Sequence, residues 1–523
     1  MKISRRTVLA ASASAPFIGR ASAATTAGIR IHSGRHRGPI DKNIFGNFIE
    51  HLGRCITGGI FDEGSPLSDR EGFRTDVMTA VKDMGVPMLR WPGGNFSSNY
   101  NWRDGIGPRN NRPRRLEMAW GTVEDNRFGT HEFMDYVEKV GAEPYICFNL
   151  GTGSWSDAQQ WVEYVNGTQD TEITRQRKKN GRDRPWKVKY WGLGNEMDGY
   201  WQMGHRSASD YGAFALEAAK LAKLTDPDVK LIAAGSSNYR PGSDWIGWNR
   251  TVLDYLKDYA DYISLHLYVG NAGNDYADFV ASPIEMDQKI ETVAGIIDSA
   301  MATRTNRVTG QLANDGRRIY IAFDEWNVWY RARGDGQRGR RILEEHYNLE
   351  DALVVAGFLN SLVNHADVVK IANLAQLVNV IAPIFTSDKG LFLQTIYYPL
   401  QLFSKNVKGN SLELLVDGPF YKSKRFDKVP YIDASASLDG DGLVVNVVNR
   451  HQDQAIEVAI GLEDKSFTGP VTVSEVNGPD IKAQNDFGSS PVAAKSRTVE
   501  ARGNNLSLSF APHSYTQLRA RLA

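Results

Sequence analysis

From residue 44 to residue 377 the chain repeats one arrangement, a short apolar run followed by a stretch with helical spacing. The runs "IFGNFIE" (44–50), "PMLRWPG" (87–93), "PYICFNL" (144–150) and "KVKYWGLGN" (187–195) read as strands. So do "KLIAAG" (230–235), "YISLHLY" (262–268), "RIYIAFDEW" (318–326) and "VKIANLAQL" (369–377). Between them lie patterns such as "FRTDVMTAVKDMG" (73–85) and "SDYGAFALEAAKLAK" (209–223), whose apolar residues recur near the helical period. Strands separated by helical crossovers run parallel. Eight of them point to an α/β fold closed as a (β/α)8 TIM barrel, although an open doubly wound sheet fits the same pattern.

From about residue 400 the texture changes. "YIDASASLDGDGLVVNVVNRHQDQAIEVAIGL" and "NNLSLSFAPHSYTQLRARL" alternate apolar with polar residues around Gly-Asp turns, and no stretch there has a useful helical period. This reads as a C-terminal all-β sandwich of jelly-roll type. "GIRIHSG" (28–34) alternates too and can lend that module a strand. The expected organisation is an export signal over 1–23, an N-terminal strand segment over 24–40, the barrel over 41–390 and the sandwich over 391–523.

The signal is read from "MKISRRTVLAASASAPFIGRASA", with its basic start, mildly apolar middle and small-residue end at Ala21-Ser22-Ala23. Arg5-Arg6 before the apolar stretch resembles a twin-arginine export signal, which places the mature protein in the periplasm or outside the cell. The middle is too short and too polar for a membrane span. Lys plus Arg number 61 and so do Asp plus Glu, so no charge excess recommends a nucleic acid or an anionic membrane as partner. Two cysteines, Cys55 and Cys147, exclude a disulfide framework or a cysteine-rich metal site and are expected as buried thiols.

In such a barrel a site forms at the C-terminal ends of the strands. Those ends read Glu50-His51, Arg90 to Asn95, Asn149, Asn195-Glu196, His266 and Tyr268, Asp324 to Asn327, and Asn373 with Gln376. Polar groups gathered at one end of many strands are costly unless that end is wet or holds a ligand. Carboxylates, amides and aromatics are what glycoside hydrolysis needs: two carboxyls flanking the scissile bond, amides for hydroxyls, rings for sugar faces. No HExxH pattern occurs, "GTGSWSD" only approximates a nucleophile elbow, and "WPGGNF" lacks the lysine of a phosphate loop. Asp324, adjacent to Glu325, is expected on the opposite side of its strand. Glu50 reads either as a site carboxylate or as an ion-pair partner of Arg54 or Arg90. The basic run over 166–186 reads as a solvated loop, or else as a subsite lip or oligomer contact.

Six segments, "GNFIEHLGRCITGGIFDE", "LRWPGGNF", "NWRDGIGP", "GLGNEMDG", "FDEWNVWY" and "ANLAQLVNVIAPI", resemble, in order, the α-L-arabinofuranosidases of glycoside hydrolase family 51. The likeness runs from about Asn43 to "QTIYYPLQ" (394–401). It implies a retaining exo-glycosidase that releases non-reducing-end α-L-arabinofuranosyl residues from arabinose-containing saccharides through a covalent glycosyl-enzyme. Glu196 would be the general acid/base and Glu325 the nucleophile. Asn195 would bind the 2-hydroxyl, with Glu50, Asn95 and Gln376 on other hydroxyls and Tyr268 beside the nucleophile. Trp120 and Trp329 would wall the subsite, Arg90 would orient the carboxylates, and His266 would support them. The resemblance implies no cofactor and no metal, and it allows a homo-oligomer. Two other readings stay open: a related endo-glucanase or xylosidase-like enzyme on the same scaffold, and a non-catalytic carbohydrate-binding protein.

Overall fold

A computed structural model describes residues 26–305, 310–313, 315–332, 339 and 341–523; the predicted export signal over 1–23 lies outside them. Eight parallel strands close into a barrel, each next to its neighbours in chain order: Gly46–Phe48, Met88–Trp91, Glu143–Cys147, Tyr190–Leu193, Lys230–Ala233, Tyr262–Val269, Tyr320–Val328 and Val369–Ala375. The eighth pairs with the first through Asn373 and Gly46, so the doubly wound alternative falls away. Most strands are shorter than their apolar runs. Asn195 and Glu196 therefore stand in the turn beyond the fourth strand, where Gly194 and Glu196 take the left-handed φ values 86° and 46°. That conformation is costly for a glutamate and must be imposed by its surroundings.

The helices form as the apolar spacing predicts. Thr75–Met84 buries Val77, Ala80, Val81 and Met84 and stops at Gly85, whose φ of 78° lets its N–H reach back to Val81. Inside the barrel, Met88, Tyr145, Tyr190, Ile232, Tyr262, Ala322 and Ile371 form a separate apolar cluster, one from each strand but the first. That plug fills the lower interior, so any cavity has to open at the other end.

Nine strands form one continuous sheet that folds over its own core, so that Val471 and Val473 near one end of the strand order share a cluster with Leu506 and Leu508 at the other. Its strand Thr26–Pro39 lies between Asn410–Asp417 and Ile456–Leu462. The helix Leu349–Asn364, buried on nearly every side, separates barrel from sandwich; Asn360 donates to Asp433 at 2.9 Å and Asn364 to the Ala434 carbonyl at 3.0 Å. Arg425, from the sandwich side, donates to Asp278 at 2.8 Å and to Glu285 at 3.0 Å on the barrel.

Two expectations need correction. The chain beyond residue 390 does contain a helix, Tyr397–Asn406, which lies against Thr75–Met84: the Tyr397 hydroxyl donates to the Ala80 carbonyl at 2.9 Å. The run 166–186 is not simply a loop either. Glu172–Lys179 is a helix, and the buried Arg177 donates to the carbonyls of Tyr164 and Gly167 at 2.9 Å each. The hydrophilic sequence hides a guanidinium that ties off backbone carbonyls. Cys55 and Cys147 are buried and unpaired, and burial pushes the Cys55 thiol up to about 12. No described helix is long and apolar enough to cross a membrane.

Candidate active site

At the C-terminal mouth of the barrel lies a cavity of about 620 Å3. Glu50, Asn95, Trp120, Glu325, Trp329 and Gln376 line it, together with Glu196, His266 and Tyr268. Arg90 and Asn195 sit directly behind that wall, 1 % exposed each.

The centre is built around Glu325. Arg90 donates to its Oε2 at 2.8 Å and the Tyr268 hydroxyl to its Oε1 at 2.8 Å. Arg90 also donates to Asn195 Oδ1 and lies over the Phe48 ring, 4.7 Å from its centroid. Glu196 accepts from His266 Nδ1 at 3.0 Å and from the Trp201 indole at 2.5 Å. One oxygen of Glu196 and one of Glu325 lie within 4.8 Å of each other.

Asp324 is the main departure from expectation. It does not face away from Glu325 but points into the same interior, accepting from the Tyr145 hydroxyl at 2.6 Å and from Ser264, with Arg90 Nε at 3.8 Å. The cause is an irregularity in strand pairing. Ala322 pairs with Ser264 and Glu325 with His266, three residues on one strand against two on the other. Against the eighth strand the same surplus recurs between Phe323 and Trp326. An inserted residue cancels the alternation of faces, so two consecutive carboxylates can share one side.

Glu50 is not an ion-pair residue. Arg54 pairs with Glu344 and Arg90 with Glu325, whereas Glu50 accepts from the Phe96 N–H at 2.9 Å, the Trp120 indole at 3.1 Å and the Gln376 amide at 3.1 Å. The close approach requires Gly93, since a Cβ there would stand 2.4 Å from Glu50 Cγ, at a φ of 152°. Trp120 reaches the cavity from the tip of the hairpin Arg115–Glu117 and Thr122–Glu124, where Glu117 accepts its backbone N–H at 2.6 Å. Arg90 Nε, Asn195 Nδ2 and Gln376 Oε1 are among the buried polar atoms of this region without a hydrogen-bond partner. A buried polar group left unmet costs about 1–3 kcal/mol.

The electrostatics divide the carboxyls. Burial pushes Glu196 up, and the neighbouring charge of Glu325 adds to it, against the bonds from His266 and Trp201. Burial likewise pushes Glu50 up to about 8. Asp324 goes the other way despite its burial: Arg90 and His266 hold it down at about 2. Burial alone would lower His266, but Glu325, Asp324 and Glu196 outweigh it and hold the imidazole at about 10. His266 is therefore a cation donating from both ring nitrogens, Nε2 lying 3.3 Å from Asp324. Glu196, His266 and Glu325 offer three potential metal-ligand atoms, but an imidazolium is no ligand, and Arg90 already supplies the charge a cation would bring.

Several strand-end residues turn out to serve the scaffold. His51 accepts from the Trp91 indole and contacts Glu124, Asn149 organises the backbone N–H groups of Gly151 to Gly153, and Asn373 donates to Asn47. Asn327 holds the carbonyls of Ala375 and Ile381. The sequence reading missed the outer wall: Trp201, Ser237, Asn238, Tyr239, Arg240 and Glu285. Trp201 could have been found from its place five residues after Glu196. Ser237 to Arg240 belong to the polar run "SSNYR" directly after the fifth strand, which the strand-end reading passed over, and Glu285 lies in a helix well beyond the sixth. Asp198 fastens this wall to the Glu196 turn by accepting the N–H groups of Ser237 and Asn238 at 2.8 Å each.

Two family models match the chain, the α-L-arabinofuranosidase 1 domain over residues 80–281 and the α-L-arabinofuranosidase C-terminal domain over 324–514. The intracellular exo-α-(1→5)-L-arabinofuranosidase 1 of Bacillus subtilis is 40 % identical over 496 residues, covering 92 % of this chain and 97 % of the relative. The chain belongs to the α-L-arabinofuranosidases of glycoside hydrolase family 51. A second family member, the intracellular exo-α-(1→5)-L-arabinofuranosidase of Halalkalibacterium halodurans, is 43 % identical over 441 residues, covering 83 % of this chain and 86 % of its own. Among solved structures, the arabinose complex of the Thermotoga maritima α-L-arabinofuranosidase superposes with a TM-score of 0.85 at 39 % identity, over 95 % of this chain and 100 % of that one.

For this family 51 chain the buried cation yields a direct prediction. Arg90→Met leaves Asp324 and Glu325 buried side by side without their guanidinium, and should destabilise the fold by about 3–5 kcal/mol. Chemical denaturation checks this; a loss below about 1 kcal/mol would show that Arg90 is not the counter-charge that holds the cluster.

Proposed function

We propose that the chain is a retaining exo-α-L-arabinofuranosidase in which Glu325 is the nucleophile and Glu196 the acid/base. The observation that carries this reading is the short Glu196–Glu325 separation, one oxygen of each within 4.8 Å. Retaining enzymes hold their two carboxyls about 5–5.5 Å apart, whereas inverting ones need about 6.5–9.5 Å to seat a water. Glu325 attacks the anomeric carbon and forms an ester bond as the glycosidic bond breaks, while Glu196 gives its proton to the leaving oxygen. The ester removes the charge of Glu325, so the pKa of Glu196 falls and its carboxylate takes a proton from the incoming water. The water oxygen bonds to the anomeric carbon and Glu325 leaves as carboxylate.

The side chains around this pair support roles for the remaining residues. The unpartnered Gln376 Oε1 on the cavity wall and Asn195 Nδ2 just behind it support roles in binding sugar hydroxyls, with Glu50 and Asn95 also lining the cavity. Trp120 and Trp329 supply aromatic walls suited to a sugar: Trp120 donates to Glu50 at 3.1 Å and the Trp329 ring stands 5.5 Å from that of Tyr268. The related proteins named as exo-α-(1→5)-L-arabinofuranosidases support the same substrate class. An aryl α-L-arabinofuranoside assayed beside the β-D-xyloside and β-D-glucoside tests it, with NMR of the first-formed product. Hydrolysis of the arabinofuranoside with the α-anomer released first is expected. Turnover of another glycoside alone would overturn the specificity, and a β-anomer the mechanism.

Those two relatives carry "intracellular" in their names, whereas this chain opens with Arg5-Arg6 and an Ala21-Ser22-Ala23 end. We propose export with cleavage after Ala23. Cell fractionation with N-terminal sequencing should find a mature chain starting at Ala24 outside the cytoplasm; an intact N-terminus in the cytoplasm would refute it.

A further inference from the structure

We propose that Arg240 selects leaving groups bearing a carboxylate, so that the outer half of the cavity is a subsite for an acidic sugar such as a uronic acid. This rests on Glu196 being the proton donor, because the leaving group must lie on the side from which it is protonated. At about 620 Å3 the cavity falls in the range that holds ligands larger than one pentose. The same cavity is also lined by Trp201, Asn238, Tyr239 and Arg240, which stand outside the hydrogen-bonded cluster of Glu50, Trp120 and Gln376, so space beyond one pentose has these residues for walls.

Arg240 is exposed, but its guanidinium rests on neighbouring rings. Its guanidinium lies over the Tyr200 ring, 4.8 Å from the centroid, and 5.6 Å from that of Trp201, the residue that donates to Glu196. It donates to the Tyr200 hydroxyl, and no carboxylate of the described residues lies within ion-pair distance of it. The acids nearby are otherwise engaged. Glu285 is paired with Lys289 at 3.2 Å and with Arg425 at 3.0 Å. Asp198 is committed to Ser237 and Asn238, and Asp244 caps the helix Trp245–Leu256. The outer wall thus presents a guanidinium oriented by two aromatic faces, with most of its donors unspent, beside the acid/base. A planar fork of this kind fits a carboxylate with two parallel hydrogen bonds, which a lysine cannot reproduce.

The test compares 4-carboxyphenyl and 4-acetylphenyl α-L-arabinofuranosides through the ratio of their kcat/KM values, which cancels the amount of folded enzyme. In Arg240→Gln the carboxylate-to-neutral ratio should fall about fivefold, by the loss of a partly exposed charge-assisted pair. Arg240→Lys should fall between this variant and the wild type. Raising the salt to about 0.5 M should shrink the wild-type preference through screening. The exposed control Arg175→Gln, remote from the cavity and paired with Asp170, should leave the ratio where it is. A ratio unmoved in Arg240→Gln, with the neutral substrate still turned over, overturns the role of Arg240 alone. No turnover of either arabinofuranoside by the wild type overturns the proposed function and this inference with it.

Discussion

Glu325→Ala should cost about 10⁴-fold or more in kcat on an aryl α-L-arabinofuranoside. No other carboxylate can replace it: Asp324 is held beneath it by Arg90, Tyr145 and His266, and Glu50 by three donors of its own. The short side chain leaves room for a small anion next to Arg90 and the Tyr268 hydroxyl, so azide should restore part of the rate and yield the β-configured arabinofuranosyl azide. A variant retaining more than about a tenth of the wild-type rate would remove Glu325 from the chemistry. Glu325→Gln, which keeps the shape, separates loss of the nucleophile from collapse of the site.

Glu196→Ala should divide substrates by their need for a proton. With a natural alkoxide leaving group kcat falls by about 10²–10⁴-fold, the usual worth of general acid catalysis, while a dinitrophenolate, which leaves unaided, forms the glycosyl-enzyme nearly as before. Azide should then give the α-configured azide, the opposite of the Glu325 variant. The pH profile offers an independent check. Glu196 must carry a proton in the free enzyme, and burial together with Glu325 raises its pKa, so kcat/KM should fall as the pH climbs through that raised value. Glu50, raised to about 8, could impose a similar limb. Glu50→Gln retains the alkaline limb if Glu196 carries it and abolishes it if Glu50 does.

The barrel was legible because its strand ends break the apolar runs with groups that only a filled or wet cavity can accommodate. Glu196 and Glu325 came from that signal, and the family resemblance gave them their order. What escaped was whatever depends on how strands or loops meet. The inward turn of Asp324 is a property of the pairing among three strands, not of the run "IYIAFDEW" itself. The outer wall of the cavity comes from loops that Asp198 pins from a distance of about forty residues along the chain, with no local periodicity to announce it. Glu172–Lys179 was hidden by its charge: only Thr174 and Arg177 are buried there, too few for an apolar stripe. Tyr397–Asn406 was hidden by its position, since a single helix after the last barrel strand is overshadowed by the alternating sequence that follows it.

The strand Thr26–Pro39 has a consequence for how the protein comes to be. It is the earliest described piece of chain to leave the ribosome, yet its two sheet neighbours, Asn410–Asp417 and Ile456–Leu462, follow only after the whole barrel. The barrel can assemble as it is synthesised, but the first strand must wait, edges unpaired, while almost the whole polypeptide is made. Such a segment is open to mispairing in the interval, and its pairings, from Pro39 with Asn410 to Thr26 with Glu457, bridge most of the chain, the slowest kind of contact to find. Its irregular middle, where the register with Asn410–Asp417 breaks between Ile31 and His36, and the five basic or imidazole side chains Arg30, His32, Arg35, His36 and Arg37 guard it against premature partners. Nascent-chain birth and final closure are thus held apart by design of the chain order itself.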